Sequence, residues 1–541
     1  MTAAGSGGRT GTPDRTPSPR VDVCVVGAGP AGALVASRLV DRGHEVVVLE
    51  AGPRFDRADR RERMERSIRP AHGARSVWNV GGERDAFTAS GERFYPLNVA
   101  RVKGVGGSTL HWQGMVMRLH ESDFERQARD GVGADWPIDY ADLRPYYSEA
   151  ERALGVAGDA DNPFAPPREE PFPMPAFSPS YSDSLFAEAC EEAGIAMHSV
   201  PNARNSQPRD DRSECVGYGT CQPVCPSGAK YSADATIEAA ESKGVRVLDS
   251  VPVQRLEPTD DGERVGAAVY TTPDGEEHRQ EARQFVLAAG GVETPRLLLL
   301  SKAAEHPDGL ANSSGAVGRY FMEHLFAGTG GRADRATRQN HVGFNTSESH
   351  QFYDNDFEKV DPIKLEFLNY AGPSPVEMAL TADEWGDDLL DSLREAYGTH
   401  LAMGGLVGQL PRARNRVALD PTTTDDHGNP VPDIQWSLDD RTRRTLAKAN
   451  DLQAQVFDHL DAGVEWVVGP ENTGPAYHHM GTTRMGEDPD ESVVNPRLRT
   501  HDVANLTVAS SSVFVTSGAM NPTLTIAALA LKAADHVDAD L

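Results

Sequence analysis

Near the carboxyl end of the chain runs AYHHMGTTRMG, residues 476–486, with His478 and His479 side by side ahead of a Gly-Thr pair. Imidazole titrates close to neutral pH, so either ring can take or give a proton under working conditions. Adjacent histidines rarely turn one face to a single metal. No H-E-x-x-H or Cys/His spacing accompanies them, which argues against a metal shared with His324. Two uses remain for the pair: packing, or proton transfer to something that another part of the chain holds.

That other part lies at the amino end. VDVCVVGAGPAGALVASRLVDRGHEVVVLEAG, residues 21–52, reads as strand, tight turn, helix and second strand. Val21 to Val26 is a continuous apolar run, as a buried parallel strand requires. Gly27, Gly29 and Gly32 form G-x-G-x-x-G. The first glycine allows the turn, the second lets a pyrophosphate approach the backbone, and the third lets helix and strand pack closely. The helix that follows points its first N–H groups at the phosphates. Glu50 closes the second strand, where a carboxylate can accept ribose hydroxyls. A dinucleotide site is predicted, but the motif alone does not separate FAD from NAD.

Three later blocks bear on that choice: RVKGVGGSTLHW at 101–112; LAAGGVETPRLLLLS at 287–301 with VGRYFMEH at 317–324; and YHHMGTTRMG followed by NLTVASSSVFVTSGAMNPTLTIAALA at 505–530. In this order, with the N-terminal fingerprint, they resemble the glucose-methanol-choline (GMC) family of flavoprotein oxidoreductases. DWPIDYADLRPYYSEAERALGV, residues 135–156, is similar to the sugar- and sugar-acid-oxidising branch, which includes glucose, gluconate and sorbitol dehydrogenases.

The resemblance implies FAD, and the residues support it. Gly106 and Gly107 offer side-chain-free backbone beside a flat ring, and Ser108 adds a hydroxyl. Met520-Asn521-Pro522 opens a last helix, with Pro at its first turn and its positive end toward the flavin. Pro30, Ala31, Ala51, Val253, Ala289, Gly290, Ser511, Asn521, Pro522 and Thr523 complete the expected cofactor contacts. In some family members a histidine at the place of His111 is bonded to the flavin 8α-methyl, whereas others have Asn there and no bond. His111 is thus the candidate for a covalent link.

Alcohol oxidation on FAD needs a base for the hydroxyl proton and a second group to hold the oxygen. In the family pattern H-x-x-G-T the base is the first histidine, here His478. The partner position before the last helix holds Asn521. His479 is expected to point elsewhere and pack.

ECVGYGTCQPVCPSGAK, residues 214–230, carries Cys215, Cys221 and Cys225. It is similar to a segment that in some bacterial sugar dehydrogenases holds an iron–sulfur cluster, and three thiolates suffice for one. Those relatives have a doubled cysteine where this chain has Glu214-Cys215. The other reading is a loop of reduced, buried thiols.

The elements that must position these residues follow from length and pattern. At 541 residues two large lobes are expected. A disordered tail is predicted at 1–18. An FAD-binding lobe is expected from 19–155, 226–330 and 471–541, and a substrate lobe from 156–225 and 331–470. The class is α/β: a discontinuous Rossmann-like lobe plus an α+β lobe with a mainly antiparallel sheet. Residues 244–291 alternate around Asp-Gly turns, as a three-stranded antiparallel insert would. LAMGGLVGQLPRARNRVALD, residues 401–420, reads as a pair of strands in a sheet roofing the flavin.

Hydrophobic residues make up 39% of the chain, and no run reaches the roughly 18–20 apolar residues of a spanning helix. The net charge of −28, from 81 acidic and 53 basic residues, repels nucleic acid and anionic lipid. Dispersed acid with little Lys suggests a surface adapted to high salt. The first twenty residues lack an apolar h-region, so a cytoplasmic enzyme is the default expectation, with export beside a signal-bearing partner as the alternative. The expected activity is oxidation of a CH–OH group in a sugar, polyol or sugar acid, with electrons passed to an acceptor protein or quinone. Oxygen-reducing oxidases and a redox-silent lyase share the fold and stand as alternatives.

Overall fold

A computed structural model describes residues 14–68, 77–338, 343–354, 360–370 and 372–541. Most of the expected tail lies outside the described residues. Arg15, within it, rests against the fold and pairs with Asp249 at 3.1 Å.

The first sheet grows from β1 (Val21–Val26). It runs parallel to β2 (Val46–Leu49), which in turn pairs with β3 (Arg246–Leu248). An antiparallel ribbon of β4 (Val253–Pro258) and β5 (Val265–Thr271) leads into β6 (Glu277–Leu287). This last strand serves two neighbourhoods. Residues 277–281 pair antiparallel with β5, and 282–287 pair parallel with β1. The sequence shows the change: EHRQEAR alternates in burial, whereas FVL is buried throughout. One face covered gives alternation, and two faces covered give a continuous apolar run. β7 (Leu506–Val508) adds to the far side of β6, 221 residues further along, as Leu506 faces Phe285. α1 (Pro30–Asp41) lies over the sheet between α3 (Ala233–Ser242) and α5 (Thr523–Ala539), and α2 (Tyr140–Leu154) backs α5.

The second sheet is antiparallel. Its strands run, from edge to edge, Ala462–Val468, Leu325–Ala333, His400–Val407, Ile363–Leu368, Asn345–Ser349 and His198–Ser199. The two strands expected within 401–420 exist but do not pair with each other. His400–Val407 lies in mid-sheet, while Arg416–Thr424 forms a separate hairpin with Pro430–Gln435. Alternation identifies a strand and says nothing about its partner.

One face of this sheet meets the helix Asp440–Phe457, where Ile363, Leu365 and Phe367 join Leu446, Leu452 and Val456 in one apolar cluster. The alternate residues Lys364 and Glu366 therefore point the other way, toward the Rossmann lobe, and are buried as well.

Arg pairs with much of the surface acid, as in Arg38 with Asp535 and Glu149 and Arg255 with Glu277. Nothing in the structure supports the high-salt expectation. Among the described residues no helix is long and apolar enough to cross a membrane.

Gly32 is the tightest joint of the nucleotide turn: a Cβ there would lie 1.9 Å from the Gly27 carbonyl oxygen. Gly32→Ala is expected to cost about 1–3 kcal/mol of stability, read by urea unfolding of flavin-free protein. Gly29→Ala, whose added methyl meets nothing within 4 Å, should leave that titration unchanged.

Candidate active site

The two sheets face each other across a cavity of about 550 Å³. At one end the β1–α1 turn forms the floor. Gly27 has a left-handed φ of 107°, and a Cβ there would press on the Ala288 carbonyl oxygen at 2.6 Å. The space above Gly29 is open, which leaves room for a group the size of a pyrophosphate. Glu50 anchors this corner: Oε2 accepts the Ala28 N–H at 2.8 Å and Oε1 the Gly52 N–H at 2.9 Å. Burial raises its pKa, against the pull of these two donors. Gly107 packs on Gly29, with 2.9 Å between its would-be Cβ and the Gly29 Cα, so the two glycine loops abut.

Of the residues expected to touch cofactor, all but Gly32 and Gly106 line this cavity. Gly32 buttresses the turn from behind. Gly106, with a left-handed φ of 106°, donates its N–H to the Ala28 carbonyl. His111 and Trp112 stand in the cavity wall, as do Pro522 and Thr523 at the start of α5. Glycine turn, carboxylate, second glycine loop and helix start together fit an extended dinucleotide such as FAD.

At the other end stand His478 and Asn521, and the polarity of their hydrogen bonds is fixed step by step. A carbonyl oxygen can only accept. His324 Nε2 lies 3.0 Å from the Ser517 carbonyl, so Nε2 carries the hydrogen and Nδ1 is bare. His478 Nδ1 is 2.8 Å from that bare nitrogen and must donate to it. This leaves Nε2 of His478 as a lone pair, 3.4 Å from Asn521 Nδ2. The amide is held in this sense from behind, because Lys364 Nζ donates to Asn521 Oδ1 at 2.7 Å.

Glu323 sets the two histidines. Its Oε1 accepts the backbone N–H of His324 at 2.9 Å and that of His478, and Oε2 accepts the Tyr95 hydroxyl. Burial pushes this carboxyl up to about 8. Burial likewise lowers His324 to about 4 and holds His478 well below 6.5, with His324 and Lys364 adding to the effect on His478. Both rings are therefore neutral at working pH. Tyr477, with a left-handed φ of 68°, precedes this pair. His479 turns away from His478 and packs edge-on to Tyr95 at 5.6 Å between ring centres.

The sequence reading singled out His478 and Asn521 but missed the residues behind them. His324 was weighed only as a metal ligand. Lys364 and Glu366 gave one local signal, charged residues alternating with apolar ones in a strand of a chain poor in Lys, whereas Glu348, in the polar strand NTSES, gave none.

The cysteine expectation needs correcting. Among the described residues no group of three or more His, Cys, Asp or Glu side chains could hold a metal ion. Two basic side chains, Arg204 and Lys230, lie among the thiols instead. Cys221 Sγ lies 3.8 Å from Arg204 Nη1, Cys225 Sγ accepts the Lys230 N–H at 3.5 Å, and Cys215 is half-buried. The Lys230 ammonium is used up on the carbonyls of Cys221, Leu110 and Trp112, tying this loop to the His111 segment. An iron–sulfur cluster on Cys215, Cys221 and Cys225 is not supported.

Comparison with known proteins agrees with this geometry. GMC oxidoreductase models match residues 86–326 and 411–530, and an NAD(P)-binding Rossmann-like model matches residues 25–86. The chain is 34% identical to the fructose dehydrogenase large subunit of Gluconobacter japonicus, over 96% of this chain and 98% of that one. It is 32% identical to the 2-methyl-1,2-propanediol dehydrogenase of Mycolicibacterium austroafricanum, over 96% of each. Among solved structures, a formate oxidase of Aspergillus oryzae RIB40, studied for its FAD modification, superposes with a TM-score of 0.67 at 17% identity, covering 98% of this chain and 99% of that one. The chain belongs to the GMC oxidoreductase family, near its sugar dehydrogenases, and is an FAD-dependent enzyme that acts on CH–OH donors.

Proposed function

We propose that the protein is a dehydrogenase that oxidises a CH–OH group of a sugar, polyol or sugar acid, with His478 as the base and Asn521 as the anchor of the substrate oxygen. The observation that carries this reading is the hydrogen-bond polarity of the site. Nε2 of His478 is left as a lone pair, with an amide N–H at its side. A substrate hydroxyl placed there donates to Nε2 and accepts from Asn521 Nδ2. Both contacts strengthen as the oxygen gains charge, so they favour the transition state over the ground state. Bound FAD would supply the hydride acceptor. The imidazolium that forms on His478 keeps donating Nδ1–H to His324, and this holds the ring in place throughout. His324 ends on a carbonyl and has no further acceptor to feed, so it positions His478 rather than passing the proton on.

The glycine floor, Glu50, Ala51 and Val253 are assigned to the adenylate and pyrophosphate. Ser108, His111, Ala289, Gly290, Ser511 and the start of α5 are assigned to the flavin half. A dehydrogenase is favoured over an oxidase because the two relatives named above, each more than 30% identical, bear dehydrogenase names, one of them a large subunit. Electrons then leave for an acceptor protein or quinone. Dye reduction without peroxide tests this, and stoichiometric peroxide would favour the oxidase. Flavin that stays with acid-precipitated protein, and is lost in His111→Ala, would establish a covalent link at His111.

The direct test is anaerobic bleaching of the flavin over a panel holding D-fructose, D-gluconate, sorbitol and 2-methyl-1,2-propanediol. His478→Ala should keep its flavin yet be reduced about 10²–10⁴-fold more slowly; an unchanged single-turnover rate removes the assignment. His324→Ala should keep flavin and slow reduction by about tenfold or more, since Nδ1–H of His478 loses its acceptor and the ring its fixed tautomer. The pH profile gives a third check. A depressed pKa keeps Nε2 unprotonated as pH falls through the ordinary histidine range, so reduction should stay level from about pH 8 to about pH 6. A loss of rate centred near 6.5 would mean that His478 titrates normally.

A further inference from the structure

The roof over the substrate end of the cavity is formed by Phe326, Phe344, Leu406 and Glu366. Three of these are apolar. Glu366, 1% exposed, is the polar exception. Its place is built: a Cβ on Gly404 would come within 3.1 Å of Glu366 Oε2 and 2.7 Å of the Phe326 ring, so the glycine makes room for both.

The surroundings of this carboxyl are unequal. Lys364 Nζ makes three contacts: Asn521 Oδ1 at 2.7 Å, Glu366 Oε1 at 2.8 Å and Glu348 Oε1 at 3.1 Å. Glu348 is fully engaged, receiving Asn345 Nδ2 on Oε1 and pairing with His350 through Oε2. Glu366 Oε1 lies against the ammonium and is closed off by it. The residue itself lines a cavity that admits a ligand, and a polar side chain so placed is costly to leave without a partner there. One ammonium separates it from Asn521, the anchor of the reacting oxygen.

We propose that Glu366 is a substrate-binding residue that hydrogen-bonds a second hydroxyl, borne close to the carbon being oxidised, and so selects diols, polyols and sugars over simple alcohols. This rests on the function proposed above. The single Lys364 charge is shared by two carboxyls. It holds Glu348 in the ionised form, while burial first and the neighbouring Glu348 next raise Glu366. In either form the carboxyl accepts from a hydroxyl, and its neutral form, which burial favours, also donates to one. The adjacent Lys364 ammonium disfavours a cationic amine at the same spot.

The test compares anaerobic flavin reduction by propane-1,2-diol, 1-propanol and 2-amino-1-propanol in wild type, Glu366→Leu and Glu366→Gln. Flavin content and melting temperature serve as the check on folding. Wild type is expected to reduce at least about tenfold faster with the diol than with 1-propanol, and more slowly with the ammonium analogue than with the diol. Glu366→Leu should shrink the diol preference to about threefold or less, and Glu366→Gln, which keeps a donor and an acceptor, should retain most of it. A wild-type ratio near one overturns the proposal without recourse to either variant. So does an unchanged ratio in folded Glu366→Leu, or a wild-type preference for the amine. If neither these compounds nor any member of the sugar panel bleaches the wild-type flavin, the proposed oxidation itself falls.

Discussion

The carbonyl of Ser517 cannot donate a hydrogen bond, and that one-way constraint organises the histidine end of the cavity. It decides which nitrogen of His324 carries hydrogen, hence which nitrogen of His478 must donate, hence where a basic lone pair is left. The chain is short, and its terminus is a backbone group that no titration can alter. Burial reinforces the outcome, because both rings are kept neutral and the lone pair persists at any ordinary pH. A surface histidine would sample both tautomers. His478 is held in a single tautomer through His324 and the Ser517 carbonyl, while Glu323 pins the backbone N–H of each histidine.

The same end of the cavity joins the two sheets. Lys364 comes from the roof and Asn521 from the turn before the last helix, and their contact crosses between the layers. An ammonium with no exposed surface is expensive to desolvate. Three acceptors around it offset that cost, and two of them belong to carboxyl groups on adjacent strands, Glu348 opposite Glu366. The arrangement links orientation of the Asn521 amide to the roof. Substitutions within the sheet, far from the histidines in sequence, therefore bear on Asn521 and on His478 beside it.

The fold shows how burial can mislead and inform at once. IKLEFL, residues 363–368, alternates like a strand with one wet face, yet all six residues are buried. The polar face is turned toward the cavity rather than toward solvent. β6 is the reverse case, where the shift from alternating to continuous apolar residues marks the point at which the strand passes from an antiparallel ribbon into the doubly covered sheet. The cysteine loop shows the limit of spacing. Three thiols within eleven residues suggest a shared ion, but Lys230 and Arg204 fill the positions around them.

What the sequence determined by itself is whatever depends on short separations. The turn at Gly27, Gly29 and Gly32, the carboxylate of Glu50, the glycine pair at 106–107 and the H-x-x-G-T around His478 are each set by a few neighbouring residues, because backbone sterics and helix starts are local. The antiparallel insert was legible for the same reason. Tertiary structure alone decided the rest. His324 meets His478 across 154 positions and Lys364 meets Asn521 across 157. The strand at 400–407 takes its partners from 325–333 and 363–368 rather than from the strand next to it in the chain. Hydrogen-bond direction, strand pairing and the charge state of a buried carboxyl depend on which groups come within about 3 Å of one another, and chain packing sets that distance where residue spacing does not.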